Sequence, residues 1–328
     1  MKEPSAAPAR LHRVNPGKDP GFRRLRAGKG FRFVDESGDP VSDEDRERIR
    51  ALVIPPAWTD VWISAEPLAH IQAVGTDEAG RRQYLYHPRW RTRRDRRKFE
   101  RALQLAASLP AARAKVTRAL RQEASDRERV LAAAFRMLDD GALRIGSERY
   151  LAKHGSRGLT TLRRRDLQVD GKVLRLSFPA KSGKRALIEI TDPELAAVLA
   201  DLVAGPPRSP LLAYRRGRRR VAVAPAEVNA FIADVTGGPF TAKDFRTLKG
   251  TIHAADALAR IGSVSTERER RTSERLAVDA AAAALGNTAT VARNSYIDPR
   301  VFRQYARGHV LDLELTPESA IRRLLGAN

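Results

Sequence analysis

The chain has 328 residues with 61 Lys+Arg against 39 Asp+Glu, a formal net charge of +22, and a compact fold with that excess repels itself unless phosphates or counterions offset the field, so a polyanion is the expected partner. The absence of cysteine excludes disulfides, thiolate zinc sites, iron–sulfur clusters and cysteine nucleophiles together. An apolar fraction of 42% is enough for one or two folded domains; with no run of about 18 apolar residues and no apolar stretch after Met1 to suggest a signal peptide, the expected compartment is the cytoplasm or a bacterial nucleoid.

Residues 1–20 hold Pro4, Pro8, Pro16 and Pro20 without periodicity and are expected to form a flexible basic arm or an extended lead-in strand. From Gly21 to Val74 short apolar alternations (Phe31, Phe33; Val61, Ile63; Ile71, Ala73) are broken by Gly, Asp and Pro turns, which predicts a small antiparallel sheet with one short helix between Ser42 and Leu52. The segment Gly75–Gly80 separates Ile71–Val74 from Gln83–Tyr86 and predicts a hairpin. Tyr84 and Tyr86 then share one face of a strand, because side chains alternate with period two.

Between residues 81 and 98 stand Arg81, Arg82, Arg89, Arg91, Arg93, Arg94, Arg96, Arg97 and Lys98 against Asp95 alone. This run places the junction between an N-terminal domain (21–97) and a larger C-terminal one (98–328). Helical spacing then predominates, at 99–109, 111–122, 126–139, 147–153, 193–204, 225–236, 242–261, 266–285 and 288–296, with Asp126, Ser147 and Asp192 as N-cap candidates. Residues 166–190 instead alternate as strands, with hairpin chemistry at Asp170-Gly171 and Ser182-Gly183, and predict a three-stranded meander inside the helical domain. The fold class is therefore α+β.

The motifs of a phosphate-binding loop, a zinc protease helix and a dinucleotide fold are all missing, which argues against ATP hydrolysis, zinc hydrolysis and redox chemistry. Asp139-Asp140 and Asp43-Glu44-Asp45 have the composition of a divalent-ion site, but such groups are ordinarily solvated helix ends. Phosphate chemistry without metal needs another source of positive charge, and a forked guanidinium that stays ionised supplies it. Three cations stand out by context: Arg144 at a helix–helix turn, Lys181 at the meander tip, and Arg246 at the start of a long helix. Each alone reads more simply as a surface residue. Tyr296 can act as a nucleophile on phosphorus if nearby cations favour its phenolate, since its free pKa is about 10; on spacing alone it reads as a half-buried tyrosine packing a terminal helix.

Taken together, Leu143-Arg144-Ile-Gly-Ser-Glu-Arg-Tyr150, Phe178-Pro-Ala-Lys181-Ser-Gly-Lys184, Ala242-Lys-Asp-Phe-Arg246-Thr247 and Ser295-Tyr296-Ile-Asp-Pro-Arg300 resemble the type IB DNA topoisomerases, in particular the small bacterial branch similar to the poxvirus enzymes. Ile54-Pro-Pro-Ala-Trp58, Ile71-Gln-Ala-Val-Gly-Thr-Asp77 and Arg82-Gln-Tyr84-Leu-Tyr86-His87 carry the likeness into the N-terminal part. It extends from about Gly21 to Leu313.

The resemblance implies a monomer that relaxes duplex DNA without ATP, metal or other cofactor, through a 3′-phosphotyrosyl bond at Tyr296. Arg144 and Arg246 would stabilise the charge gained in the transition state, and Lys181 would protonate the leaving 5′-oxygen. Asn287 stands where many relatives have a histidine, and an amide donates hydrogen bonds without shuttling protons; oxyanion donation is its expected role. The two domains would close as a clamp on duplex DNA, with Tyr84 and Tyr86 in the major groove and Arg81, Arg82, Arg93 and Lys243 on phosphates. The main alternative is a tyrosine recombinase, which uses the same Arg-Lys-Arg-Tyr chemistry but usually carries His three residues before the second arginine, where Lys243 stands here.

Overall fold

The computed structural model describes residues 10–121 and 126–326, and the chain divides into two compact units, Met1–Arg97 and Lys98–Asn328. The first is built on a five-stranded antiparallel sheet of β1 (Gly21–Ala27), β2 (Gly30–Val34), β3 (Thr59–Ser64), β4 (Ile71–Thr76) and β5 (Arg82–Tyr86), in the order β2-β1-β3-β4-β5. Helix α1 (Asp43–Ala51) follows an N-cap at Ser42, whose side chain accepts from Asp45 N–H. Its Ile49 packs with Val41, Val61, Ile63 and Ala73 on one face of the sheet.

The other face is covered by residues expected in the arm. His12 forms a β-bridge with Ala69, and Val14 is buried with Ala69, Ile71 and Val74, beside Tyr86. Residues 10–20 are thus a packed lead-in rather than a free arm, because the alternating strands leave an apolar face that Val14 covers. Residues 1–9, the rest of the expected arm, lie outside the described residues.

The basic run continues from β5 into a helix. It opens α2 (Pro88–Arg121), a single 34-residue helix where two segments were expected. Proline at the first position suits a helix start, and His87 Nδ1 accepts from Arg89 N–H at 3.1 Å. Pro110 does not end the helix, although it removes a hydrogen-bond donor. The buried stripe of Leu103, Leu105, Ala106, Leu109, Ala112 and Val116 continues on both sides of it, so tertiary packing outweighs the local penalty.

In the second unit α3 (Asp126–Gly141) is the central helix, buried from Val130 to Asp139 except at Arg136, as a helix apolar around its circumference must be. Asp139 is no solvated helix end: its carboxylate receives Arg113 of α2 at 2.6 Å, and Arg113 also reaches Glu318 at 2.6 Å. This buried bridge joins α3 and α11 (Pro317–Leu324) through α2. After α4 (Glu148–His154) the expected meander forms as β6 (Leu167–Asp170), β7 (Val173–Pro179) and β8 (Arg185–Thr191), ordered β6-β7-β8. Leu174, Leu176, Phe178 and Ile190 bind it to the helical core.

Helix α5 (Pro193–Val203) has its predicted cap, Asp192 accepting from Leu195 N–H at 2.8 Å. A hairpin that periodicity did not reveal, β9 (Ala213–Arg216) with β10 (Arg219–Ala222), precedes α6 (Pro225–Thr236). Its arginines conceal the alternation. Long helices α7 (Ala242–Ile261) and α8 (Glu267–Leu285) pack together before the short α9 (Ala289–Ser295) and α10 (Arg300–Tyr305). Among the described residues no helix is long and apolar enough to cross a membrane.

Candidate active site

Segments far apart in sequence meet in the second unit around a cavity of about 390 Å³ whose lining includes Arg144, Arg157, Lys181, Lys243, Arg246 and Tyr296. Arg144 follows the end of α3, where Ala142 adopts the left-handed region at φ 47°. The strained turn is held because the next residues are pinned: the Arg144 and Ile145 carbonyls accept from Leu159 N–H at 2.8 Å and Thr160 N–H at 2.9 Å. Only glycine fits at Gly158, since a Cβ there would stand 2.6 Å from the Arg144 oxygen.

Lys181 sits exposed on a single 3₁₀ turn between β7 and β8. The turn closes through Ala180 N–H to the Lys184 carbonyl at 2.7 Å. Arg246 lies in the second turn of α7, whose start is fixed by Asp244: its carboxylate accepts from Thr241 N–H at 2.8 Å and is held by Arg101 at 2.7 Å. Lys243 and Arg246, three residues apart, share a helix face.

Tyr296 ends α9. Gly286 closes α8 in the left-handed region and Thr288 caps α9, accepting from Val291 N–H at 3.3 Å. The backbone of Tyr296 is seated directly on α7, where Thr251 Oγ1 donates to its carbonyl at 3.2 Å. A side chain at Gly250 would place its Cβ 2.8 Å from that same oxygen, so this helix position must be glycine for the tyrosine to sit there.

The phenol is only 8% exposed. Arg144 Nη1 approaches its oxygen at 3.5 Å, and the Arg246 guanidinium carbon lies 5.1 Å from the ring centroid. Burial alone pushes the Tyr296 pKa up, but the positive charges of Arg246 and Arg144 outweigh it, leaving the phenol below its ordinary value. Arg246 itself is buried, and its pKa is drawn down first by desolvation and then by Arg144. A guanidinium so shifted still stays charged.

Arg246 also serves the fold: Nη1 donates to the Ala142 carbonyl at 2.5 Å and Nη2 to the Leu285 carbonyl at 2.9 Å. Arg144 Nη2 donates to Asn287 Oδ1. Three buried donors at this place, Arg157 Nε, Arg246 Nε and Asn287 Nδ2, have no hydrogen-bond partner among the described residues. Unpartnered donors also occur away from this cavity, at Arg48, Arg129, Arg136 and Arg164, so those at the cavity are open to a ligand oxygen without requiring one.

The structure therefore brings together Arg144, Lys181, Lys243, Arg246 and Tyr296, with Asn287 attached through Arg144. Arg157 was missed, because nothing in Ser156-Arg157-Gly158 distinguishes it from any loop arginine. The other expected residues belong to the first unit. Tyr84 and Tyr86 stack on the same face of β5 with centroids 6.0 Å apart, Arg82 lies 6.0 Å over Tyr84, and Arg94 lies 5.0 Å over Tyr86. Tyr84 is 41% exposed, whereas Tyr86 is partly used in packing against Ile71 and Val74.

Arg81 differs from a free phosphate contact. It is paired with Asp77 at 2.7 Å, and its hydrogen bonds hold that carboxyl well below the usual range. Arg93, with Arg89 and Arg97 of α2, lines a cavity together with Arg10 and Arg13 of the lead-in.

Residues 87–310 match the family described as eukaryotic DNA topoisomerase I, catalytic core, and residues 30–77 match the bacterial DNA topoisomerase IB N-terminal domain. The DNA topoisomerase 1B of Acanthamoeba polyphaga mimivirus is 29% identical over 285 residues, covering 84% of this chain and 85% of that protein. The two matched regions span both units and include Arg144, Lys181, Arg246, Asn287 and Tyr296, and the chain belongs to the type IB DNA topoisomerases, enzymes of type I that act on DNA.

Proposed function

We propose that the chain relaxes supercoiled duplex DNA as a monomer, by transient cleavage of one strand, without ATP or metal. Tyr296 Oη attacks the phosphorus as the bond to the 5′-oxygen breaks. The phenolic proton passes to water and Lys181 gives a proton to the departing 5′-oxygen. The products are a 3′-phosphotyrosyl bond and a 5′-hydroxyl strand free to rotate. Because the phosphodiester's energy is kept in the new ester, the reverse reaction reseals the strand.

Charge accumulating on the nonbridging oxygens falls to Arg144, Arg246 and the Asn287 amide. Preorganised donors in a site shielded from water stabilise a transition state more than its ground state. Tyr84, Tyr86, Arg82, Arg93 and Lys243 serve as further contacts to the duplex.

The observation that carries this reading is the buried Tyr296 phenol with Arg144 at its oxygen and Arg246 over its ring, in the cavity that Lys181 also lines. The test is relaxation of a negatively supercoiled plasmid in EDTA without nucleotide, at less than one enzyme per DNA. Complete relaxation is expected. A requirement for ATP, for added metal or for paired specific sites would overturn the proposal, the last in favour of a recombinase.

A further inference from the structure

Residues 157–159 fasten two parts of this site to each other. Leu159 N–H donates to the Arg144 carbonyl at 2.8 Å, and Arg157 N–H donates to the Pro179 carbonyl, also at 2.8 Å. Pro179 stands two residues before Lys181. This short segment therefore runs from the backbone of the first arginine to the base of the lysine turn.

A buried ion pair holds it. Arg157 Nη2 donates to Asp166 Oδ1 at 2.8 Å, and Nε lies 2.8 Å from Oδ2 without a hydrogen bond to it, with side chains 9% and 3% exposed. Asp166 is itself fixed at the head of β6, where Oδ2 accepts from Arg163 N–H at 2.8 Å. Removing one partner of an ion pair this deep would leave the other charge buried and uncompensated. Although Arg157 lines the cavity with Lys181, its charge is already balanced by Asp166. A part in aiming neighbours suits it better than a part in binding phosphate.

We infer that Arg157, clamped by Asp166, is a positioning residue that sets where the Lys181 turn delivers its proton. The inference rests on the reading of Lys181 as the proton donor to the 5′-oxygen. Lys181 is exposed at the tip of a single turn, so the base of that turn fixes its reach. A displacement of about 1 Å costs as much as about 10²-fold in rate.

The test compares single-turnover cleavage of a duplex that leaves through its 5′-oxygen with the same duplex carrying sulfur in place of that bridging oxygen. A thiolate departs without being protonated, so a defect confined to proton delivery disappears on the sulfur duplex. Arg157→Lys keeps a cation for Asp166 but loses the planar guanidinium whose Nη2 bonds it. The double variant Arg157→Met, Asp166→Asn removes both buried charges and leaves an acceptor for Arg163 N–H, which protects folding.

Each variant is expected to cleave the oxygen duplex about 10- to 100-fold more slowly and the sulfur duplex within about threefold of wild type. Equal slowing on both duplexes, or slowing on neither, overturns the inference. Lys181→Ala, run in parallel, separates the two readings. If it recovers on sulfur while the Arg157 variants do not, the positioning role alone fails; if it does not recover, the proton-donor reading falls and this inference falls with it.

Discussion

Two arginine–tyrosine contacts of nearly equal length occur in the two units. Arg94 lies 5.0 Å over Tyr86 in the first, and Arg246 lies 5.1 Å over Tyr296 in the second. Geometry does not separate them, but surroundings do. Arg246 and Tyr296 are both buried, at 5% and 8% exposure, and Arg144 adds a second cation at the phenol oxygen. An exposed cation–π contact is worth roughly 0.5–1 kcal/mol and a desolvated one about 2 or more. The surface pair is suited to holding a polyanion, and the buried pair to changing how a phenol ionises.

The largest effect expected from breaking this contrast is at Arg246. Arg246→Ala should slow single-turnover cleavage by roughly 10³-fold or more while duplex affinity changes little, because the missing contact belongs to the transition state. The same variant deprives the Ala142 and Leu285 carbonyls of their donors, so thermal unfolding should report a loss of about 1–3 kcal/mol for each unsatisfied group. Binding that falls in step with rate would make Arg246 an ordinary phosphate contact.

Next comes Asn287→Ala, with an expected loss of roughly 10²- to 10³-fold in cleavage if the amide donates to the oxyanion. A change below about threefold would reduce Asn287 to an anchor for Arg144. The pH dependence sharpens the same point. Cleavage should rise with pH through a pKa below that of free tyrosine, and Arg144→Ala should move that limb to higher pH, since a cation favouring the phenolate is removed. An unmoved limb would detach Arg144 from the nucleophile.

Smaller effects belong to the first unit. Arg94→Ala and Arg82→Ala should each lower the salt dependence of binding by about one phosphate contact. Arg81→Ala should do least, because Arg81 is paired with Asp77. A larger loss at Arg81 than at Arg82 would reverse the assignment of these side chains.

Much of this was legible in the residues themselves. The turns at Asp170-Gly171 and Ser182-Gly183 announce the meander, and the Gly286–Thr288 break announces the helix that Tyr296 ends. What could not be read was the part set by tertiary contact. Pro110 reads as a helix stop until the buried stripe on both sides of it is seen. Asp139 reads as a solvated acid until Arg113 is found against it. The double service of Arg246, to two carbonyls and to a phenol, depends on α3 and α8 ending beside α7, which no local pattern encodes. Arg157 is silent for the same reason, its partner Asp166 being meaningful only once β6 is in place.

The most direct test is to trap the covalent intermediate on a duplex whose cut end is lost after cleavage, in EDTA, and to map the modified residue by mass spectrometry. The account predicts a single adduct at Tyr296, formed by the wild-type chain and absent from Tyr296→Phe, which should retain duplex binding. An adduct on another residue, or one that persists in Tyr296→Phe, would contradict it.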